Sequence, residues 1–268
     1  MKLEHNNAII SKADKGNSII ILYLNDYQLK IQEFIEKNNF TILEKDPTNL
    51  FQNKIKTTIK TCPSLIPRET STRLTHMNPT PPNIRGLPKV QETQCPIRPI
   101  VNWIGTPAYK LAKYLNQLLT TITPLPNTFN VSNTTRLMKA IQNIPHKPGI
   151  QLASLDIENM YPNIPTNEII PIIECISCNY QHDSNTIHDL TTITNTVLEQ
   201  NYFVFQNTSY SQTSGLAMGA PSAAILSEVF LQYLEHTKIV DILVQHNIIG
   251  YFRYVDDTLV IYDACMHA

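Results

Sequence analysis

Two short β-branched runs, Ala8-Ile9-Ile10-Ser11 and Ser18-Ile19-Ile20-Ile21-Leu22, flank the polar turn Lys12-Ala13-Asp14-Lys15-Gly16-Asn17, so the chain opens on a hairpin. From Asn25 to about Lys37 apolar Leu29, Phe34 and Ile35 recur among charges, as in a surface helix. A second helical segment runs from about Leu50 to Lys60. Between Cys62 and Pro107 stand Pro79, Pro81, Pro82, Pro88, Pro96 and Pro99, which exclude one long helix and predict loops with short extended pieces. Helical patterns return over Ala108–Leu119, ended by Pro124 and Pro126, and over Asn133–Ile144.

The character changes at Lys147-Pro148-Gly149. Ile150 to Ile157 reads as a central strand that presents Asp156 at its end, followed by helices over about 166–178 and 186–200. Tyr202-Phe203-Val204-Phe205, a Gln206-Asn207 turn and a return through Tyr210 form a hairpin. Helices over Ser222–Glu235 and about 237–246 precede a last hairpin, in which Tyr251-Phe252-Arg253-Tyr254-Val255 and Thr258-Leu259-Val260-Ile261-Tyr262 enclose Asp256-Asp257 at the turn. The order strand, helix, hairpin, helix, hairpin predicts an α+β arrangement, one sheet with helices on one face.

Charge divides the chain at the same place. Residues 1–149 hold 19 Lys and Arg against 9 Asp and Glu, a net of +10, and residues 150–268 hold 2 against 13, a net of −11. A basic half suits a polyphosphate backbone and an acidic half suits cations, although two solvated faces that pair with each other would show the same asymmetry.

The longest apolar run, Ile19 to Leu24, is far short of a bilayer span, and no apolar stretch follows Met1 as a secretory signal would require. The five cysteines, Cys62, Cys95, Cys175, Cys178 and Cys265, are an odd number without a disulfide-scaffold spacing and fit a reducing, intracellular compartment. Cys175 and Cys178, with His182 and His188 downstream, invite a zinc reading, but their spacing fits no common finger; small buried side chains at a helix end are the default expectation.

Adjacent carboxylates at a turn repel each other unless a cation sits between them, and hard cations such as Mg²⁺ take oxygen ligands of this kind. Asp is also an ordinary turn residue, so Asp256-Asp257 needs partners. Asp156 supplies one, and Tyr161 would project into the same site if the chain turns after its strand; the alternative for Tyr161 is a core-filling aromatic ahead of Pro162. Between the two acidic sites lies Gln212-Thr213-Ser214-Gly215-Leu216-Ala217-Met218-Gly219-Ala220-Pro221, a glycine-containing helix entrance that lets backbone approach a flat ligand closely.

In this order and at these separations, the elements resemble the polymerase motifs of reverse transcriptases. Ser154 to Tyr161 looks like the first palm motif, Gly215 to Pro221 like the second and Tyr254-Val255-Asp256-Asp257 like the third, while Leu87-Pro88-Lys89 and Arg98-Pro99-Ile100-Val101 look like the fingers motifs before them. Lys12-Ala13-Asp14-Lys15-Gly16, Asn163-Ile164-Pro165 and Phe252-Arg253-Tyr254-Val255-Asp256-Asp257 are similar to Penelope-like retroelement reverse transcriptases, over about residues 8 to 263.

The resemblance implies a right-hand polymerase fold: a fingers-like basic region over 1–149 and a partial palm over 150–268, with an antiparallel palm sheet backed by helices. It implies RNA-directed DNA synthesis on an RNA template and DNA primer from dNTPs, with two Mg²⁺ ions, or Mn²⁺, held by Asp156, Asp256 and the backbone carbonyl of Ile157, with Asp257 in support. Tyr161 would exclude the ribose 2′-hydroxyl, which argues against an RNA-templated RNA polymerase. Lys89 and Arg98 would grip the incoming triphosphate, Gly215 and Gly219 would line the templating pair with Gln212 nearby, and Lys12 and Lys15 would touch nucleic-acid backbone. A eukaryotic element of this kind would act in the nucleus, without a membrane. Family members continue into further palm motifs, a thumb and usually a GIY-YIG endonuclease, whereas this sequence stops eleven residues after Asp257, so the thumb is expected to be absent. A catalytically inactive relic, or a nucleic-acid-binding fragment of the same fold, is the alternative.

Overall fold

In the computed structural model, which describes residues 2–3, 7–38, 40–145 and 147–266, the strands gather into three sheets. The opening hairpin forms as expected: β2 (Ala8–Lys12) pairs antiparallel with β3 (Ile19–Tyr23), and β1 (Lys2–Leu3) adds to β2. Helix α1 (Leu24–Lys37) buries Tyr27, Ile31 and Ile35, spaced four apart on one face. That stripe differs from the expected one, for Leu29 is exposed.

The second sheet contains β4 (Thr41–Leu43), β5 (Asn83–Pro88), β6 (Ile97–Asn102), β8 (Tyr202–Phe205) and β9 (Thr208–Ser211), in the order β4-β9-β8-β5-β6. The proline-rich region is thus more regular than predicted, with six paired residues on each of β5 and β6. Pro88 ends β5, and Pro99 lies on β6, the edge strand, where its missing N–H breaks no ladder. Asn83 pairs in parallel with Val204, whose N–H donates to the Pro82 carbonyl at 2.7 Å, and β9 pairs with β4. The two halves of opposite charge therefore contribute strands to one sheet.

The third sheet, in the order β10-β11-β7, joins β7 (Ile150–Asp156) to the hairpin of β10 (Gly250–Tyr254) and β11 (Asp257–Asp263), all antiparallel. Two expectations are corrected here. The strands after residue 150 do not form one sheet, because β8 and β9 find backbone partners in β5 and β4. Nor is β7 central: among the described residues it is an edge strand, with Leu152 65% and Leu155 56% exposed.

The core lies among α2 (Thr48–Thr61), α4 (Tyr109–Ile122), α7 (Thr166–Asn179), α8 (Ser184–Glu199) and α9 (Ala223–Leu234), where Ile55, Leu111, Leu115, Ile169, Leu190 and Ile193 are wholly buried. Thr58 and Thr196 share a hydrogen bond of 2.8 Å between α2 and α8, which satisfies two buried hydroxyls. Shorter helices are α3 (Arg68–Ser71), α5 (Thr134–Gln142), α6 (Met160–Asn163) and α10 (Val240–Gln245). The Asn133 side chain caps α5 by accepting from the Arg136 N–H at 2.9 Å. The two helices expected over 222–246 are one run, because a π-helical segment, Glu235–Ile239, joins α9 to α10. Among the described residues no helix is long and apolar enough to cross a membrane.

A candidate carboxylate site beside a glycine turn

Register brings the acidic residues together. In the β7–β11 ladder Asp156 is paired directly with Asp257, and directly paired residues carry their side chains on the same face. The Ile157 N–H donates to the Asp256 carbonyl at 3.0 Å, tying the end of β7 to the hairpin turn. The turn itself is Val255-Asp256, since Tyr254 pairs with Asp257; Asp257 opens β11 instead of sharing the turn with Asp256 as predicted. Val255 has φ +58°, an outlier for a β-branched residue and a sign of local strain. Asp156 and Asp257 are exposed and Asp256 is half-buried.

Tyr161 lies in α6, entered through Asn159 at φ +50° and anchored by buried Met160. Burial pushes its phenol above the ordinary range, and the charges of Asp256 and Glu228 push it further, so Tyr161 stands in the field of the acidic turn.

The glycine turn docks on the backbone of both neighbours. Leu216 N–H donates to the Tyr161 carbonyl at 2.8 Å. A Cβ on Gly219, at φ +75°, would sit 2.1 Å from the Val101 carbonyl oxygen of β6, and Trp103 Nε1 donates to the Met218 carbonyl at 3.1 Å. The glycines thus admit a close approach of the protein's own chain, where the sequence alone had suggested a flat ligand. Gln212 Nε2 donates to the carbonyls of Ser214 and Leu216 at 2.7 and 3.0 Å and closes this same turn.

The basic candidates lie on and beside the β5–β6 hairpin, in a different sheet from the carboxylates. Lys89 Nζ pairs with Glu92 at 3.0 Å, and Arg98 Nε pairs at 3.1 Å with Asp14, whose side chain is nearly buried. Asp14 N–H also donates to the Pro88 carbonyl at 3.0 Å, so the first hairpin turn, with Lys12 and Lys15 exposed on it, is docked at Arg98. Arg85, exposed on the face of β5 shared with Arg98, adds a cation that the motifs did not identify. Gly219 against Val101 and Met218 against Trp103 join this basic edge to the carboxylate corner.

Sequence reasoning also missed Arg253, Glu228 and Glu235. Arg253 on β10 is buried and paired with Glu235 at 2.6 Å and Glu228 at 2.8 Å. The available signal was an arginine between strand aromatics, with two glutamates seven residues apart in an otherwise apolar helical run, hence on one face. Burial opposes the charge on Glu228, yet the Arg253 and Gln232 hydrogen bonds outweigh it and hold that carboxyl below its ordinary range.

Among the described residues no group of three or more His, Cys, Asp or Glu is arranged to hold a metal ion by itself. Cys175 and Cys178 are exposed, not buried as expected, and a ring nitrogen of His182 lies 2.8 Å from the Ile122 carbonyl oxygen. An open groove of about 430 Å³ runs along Thr166, Asn195, Asn201, Gln212, Thr213 and Gly215; none of the three aspartates lines it.

No family model and no curated protein matches the chain. Among solved structures it is similar to telomerase from Candida albicans in complex with the TWJ fragment of telomeric RNA, with a TM-score of 0.65 at 10% identity over 97% of this chain and 46% of that one. Apo telomerase from Candida tropicalis truncated from its C-terminal domain matches with a TM-score of 0.61 at 11% identity, over 95% of this chain and 52% of that one. The chain therefore shares its fold with these telomerase structures, and it spans about half the length of the chains it matches.

Proposed function

We propose that this chain is the fingers and part of the palm of an RNA-directed DNA polymerase, of the Penelope-like retroelement type. The observation that carries the reading is the register of β7 and β11, which pairs Asp156 with Asp257 and sets Asp256 in the adjoining turn. The motif order along the sequence and the telomerase-like fold support it.

The donor set fits a hard divalent cation. Mg²⁺ is commonly bound through one or two carboxylates together with substrate phosphates, so the lack of a three-ligand protein cage among the described residues does not argue against it. Asp156, Asp256 and the Ile157 carbonyl would hold Mg²⁺ or Mn²⁺, supported by Asp257. When bound there, the ions would supply activation of the attacking hydroxyl and neutralisation of charge on the transferred and leaving phosphates.

The chain's own residues supply position and selection. Tyr161, fixed through its carbonyl to Leu216 and in the field of Asp256, would exclude the ribose 2′-hydroxyl. Lys89 and Arg98 meet the triphosphate of an incoming dNTP by exchanging Glu92 and Asp14 for phosphate oxygens, an exchange favoured by the higher charge of the triphosphate. The Gly215–Gly219 turn, held between Tyr161 and Val101, backs the templating base. Lys12, Lys15 and Arg85 offer an exposed basic edge to the RNA template and DNA primer.

Primer extension on an RNA template, with dNTPs and Mg²⁺, tests the reading. We expect incorporation that Asp256→Ala abolishes. Incorporation retained by Asp256→Ala would overturn the assignment. Salt-dependent RNA binding without incorporation in either metal would favour a non-catalytic binding fragment.

A further inference from the structure

Arg253 is the largest wholly buried side chain among the described residues, and all five of its N–H donors are used. Nε donates to Glu235 Oε1 at 2.6 Å, and Nη2 to Glu228 Oε2 at 2.9 Å and Glu235 Oε2 at 3.3 Å. Nη1 donates to Glu228 Oε1 at 2.8 Å, and its remaining hydrogen goes to the Val255 carbonyl at 3.0 Å. The carboxylates are held in turn: Gln232 and Asn130 donate to Glu228 Oε2 at 2.9 and 3.2 Å. Glu235, which grips Arg253, is also the first residue of the π-helical segment.

The bond to Val255 lies at the one place in the hairpin where the backbone is strained. Valine resists φ +58°, and a strained residue persists only where its surroundings over-determine it. Arg253 contributes the over-determination: its backbone is fixed on both edges, by pairing with Thr258 and by hydrogen bonds with Phe129 and Val131, and its side chain then grips the carbonyl two residues on. The Val255 conformation decides where Asp256 stands and whether Asp257 enters β11 opposite Asp156.

We propose that Arg253, clamped by Glu228 and Glu235, is a positioning residue for the carboxylate site: it holds the Val255 turn in the conformation that presents Asp256 and Asp257 to a divalent cation. The proposal rests on the polymerase reading only in taking these carboxylates to bind metal. Arg253 itself touches neither metal nor substrate.

Mn²⁺ binding to the purified chain, followed by the loss of the free-ion electron paramagnetic resonance signal, gives a readout that does not depend on turnover. Residues that orient metal ligands typically change affinity 10–100-fold when replaced. Arg253→Lys, which keeps the charge but cannot reach both glutamates and the Val255 carbonyl together, should weaken Mn²⁺ binding about tenfold while the chain still unfolds cooperatively. Val255→Gly should restore most of the loss in the Arg253→Lys background, because glycine adopts the left-handed turn without the guanidinium bond. A purely structural role would lower the unfolding temperature in both variants and leave Mn²⁺ affinity unchanged. Should Arg253→Lys fail to fold, Glu235→Gln, which keeps the arginine and loosens one anchor, must weaken Mn²⁺ binding in the same sense. Equal Mn²⁺ affinity in the wild type and a folded variant overturns the proposal alone. Absence of Asp256-dependent Mn²⁺ binding in the wild type overturns the metal-site reading, and this proposal with it.

Discussion

Gly215 lies against the backbone of Pro162 so closely that a Cβ on it would stand 2.2 Å from the Pro162 carbonyl oxygen. Gly215 is also at φ +76°, where an L side chain costs about 1–2 kcal/mol before any overlap. Gly215→Ala should therefore lose about 2 kcal/mol or more of stability, read as a lowered midpoint in urea unfolding. The equivalent change at a glycine without such a neighbour, Gly16→Ala, should cost only the conformational part, because the nearest atom to its Cβ is the Ser18 hydroxyl at 4.0 Å.

Like charges directly opposite in an antiparallel pair destabilise it by about 0.2–1 kcal/mol. Asp257→Asn removes one member of the Asp156–Asp257 pair, so without divalent ions it should raise Tm by about 1–3 °C at low ionic strength. The same variant should show a smaller rise in Tm on adding Mg²⁺ than the wild type. Thermal melts with and without Mg²⁺ check both signs.

Glu228 makes the acid limb of stability its own test. Its folded carboxyl lies below the ordinary 4.5, so the ionised form favours the fold; that stabilisation is complete above the unfolded value and is lost as pH falls through the folded one. Tm of the wild type should fall steeply below about pH 4.5, and Glu228→Gln should flatten the slope there while lowering Tm at neutral pH. Melts from pH 3 to 7 measure it.

The cysteines should separate by reactivity. Cys62 is buried, and burial, followed by the charge of Asp189, pushes its thiol up to about 11, so it should resist a thiol reagent at pH 8 until the protein unfolds. Exposed Cys175, Cys178 and Cys265 should react at once in the native state. Mass-spectrometric mapping of labelled peptides distinguishes the two classes.

Local pattern served well where neighbours in sequence decide the outcome. The opening hairpin and the strand ending in Asp156 are legible because alternation and turn residues are short-range signals. The meeting of Asp156 with the Asp256-Asp257 hairpin was legible only through the order of the motifs. Partner choice among strands was not: nothing in Tyr202–Phe205 says that it joins Asn83 instead of Ile150, because that pairing depends on backbone groups far along the chain. The ion pairs of Lys89 and Arg98, and the buried network of Arg253, escaped for the same reason. A charged residue in a sequence looks solvated until its partner is known.

The five-stranded sheet also sets a timetable. During synthesis Ile42 and Asn83 emerge long before Tyr210 and Val204, the residues they pair with, so β4 and β5 wait for these partners while all of the intervening chain, 168 and 121 positions on, is made. Closing loops of that size before any contact repays them makes such pairings slow. The last hairpin comes later still, and it alone completes the register that sets Asp257 opposite Asp156. Among the described sheets the acidic corner is thus the one completed last along the chain, when β11 has been made and can meet β7.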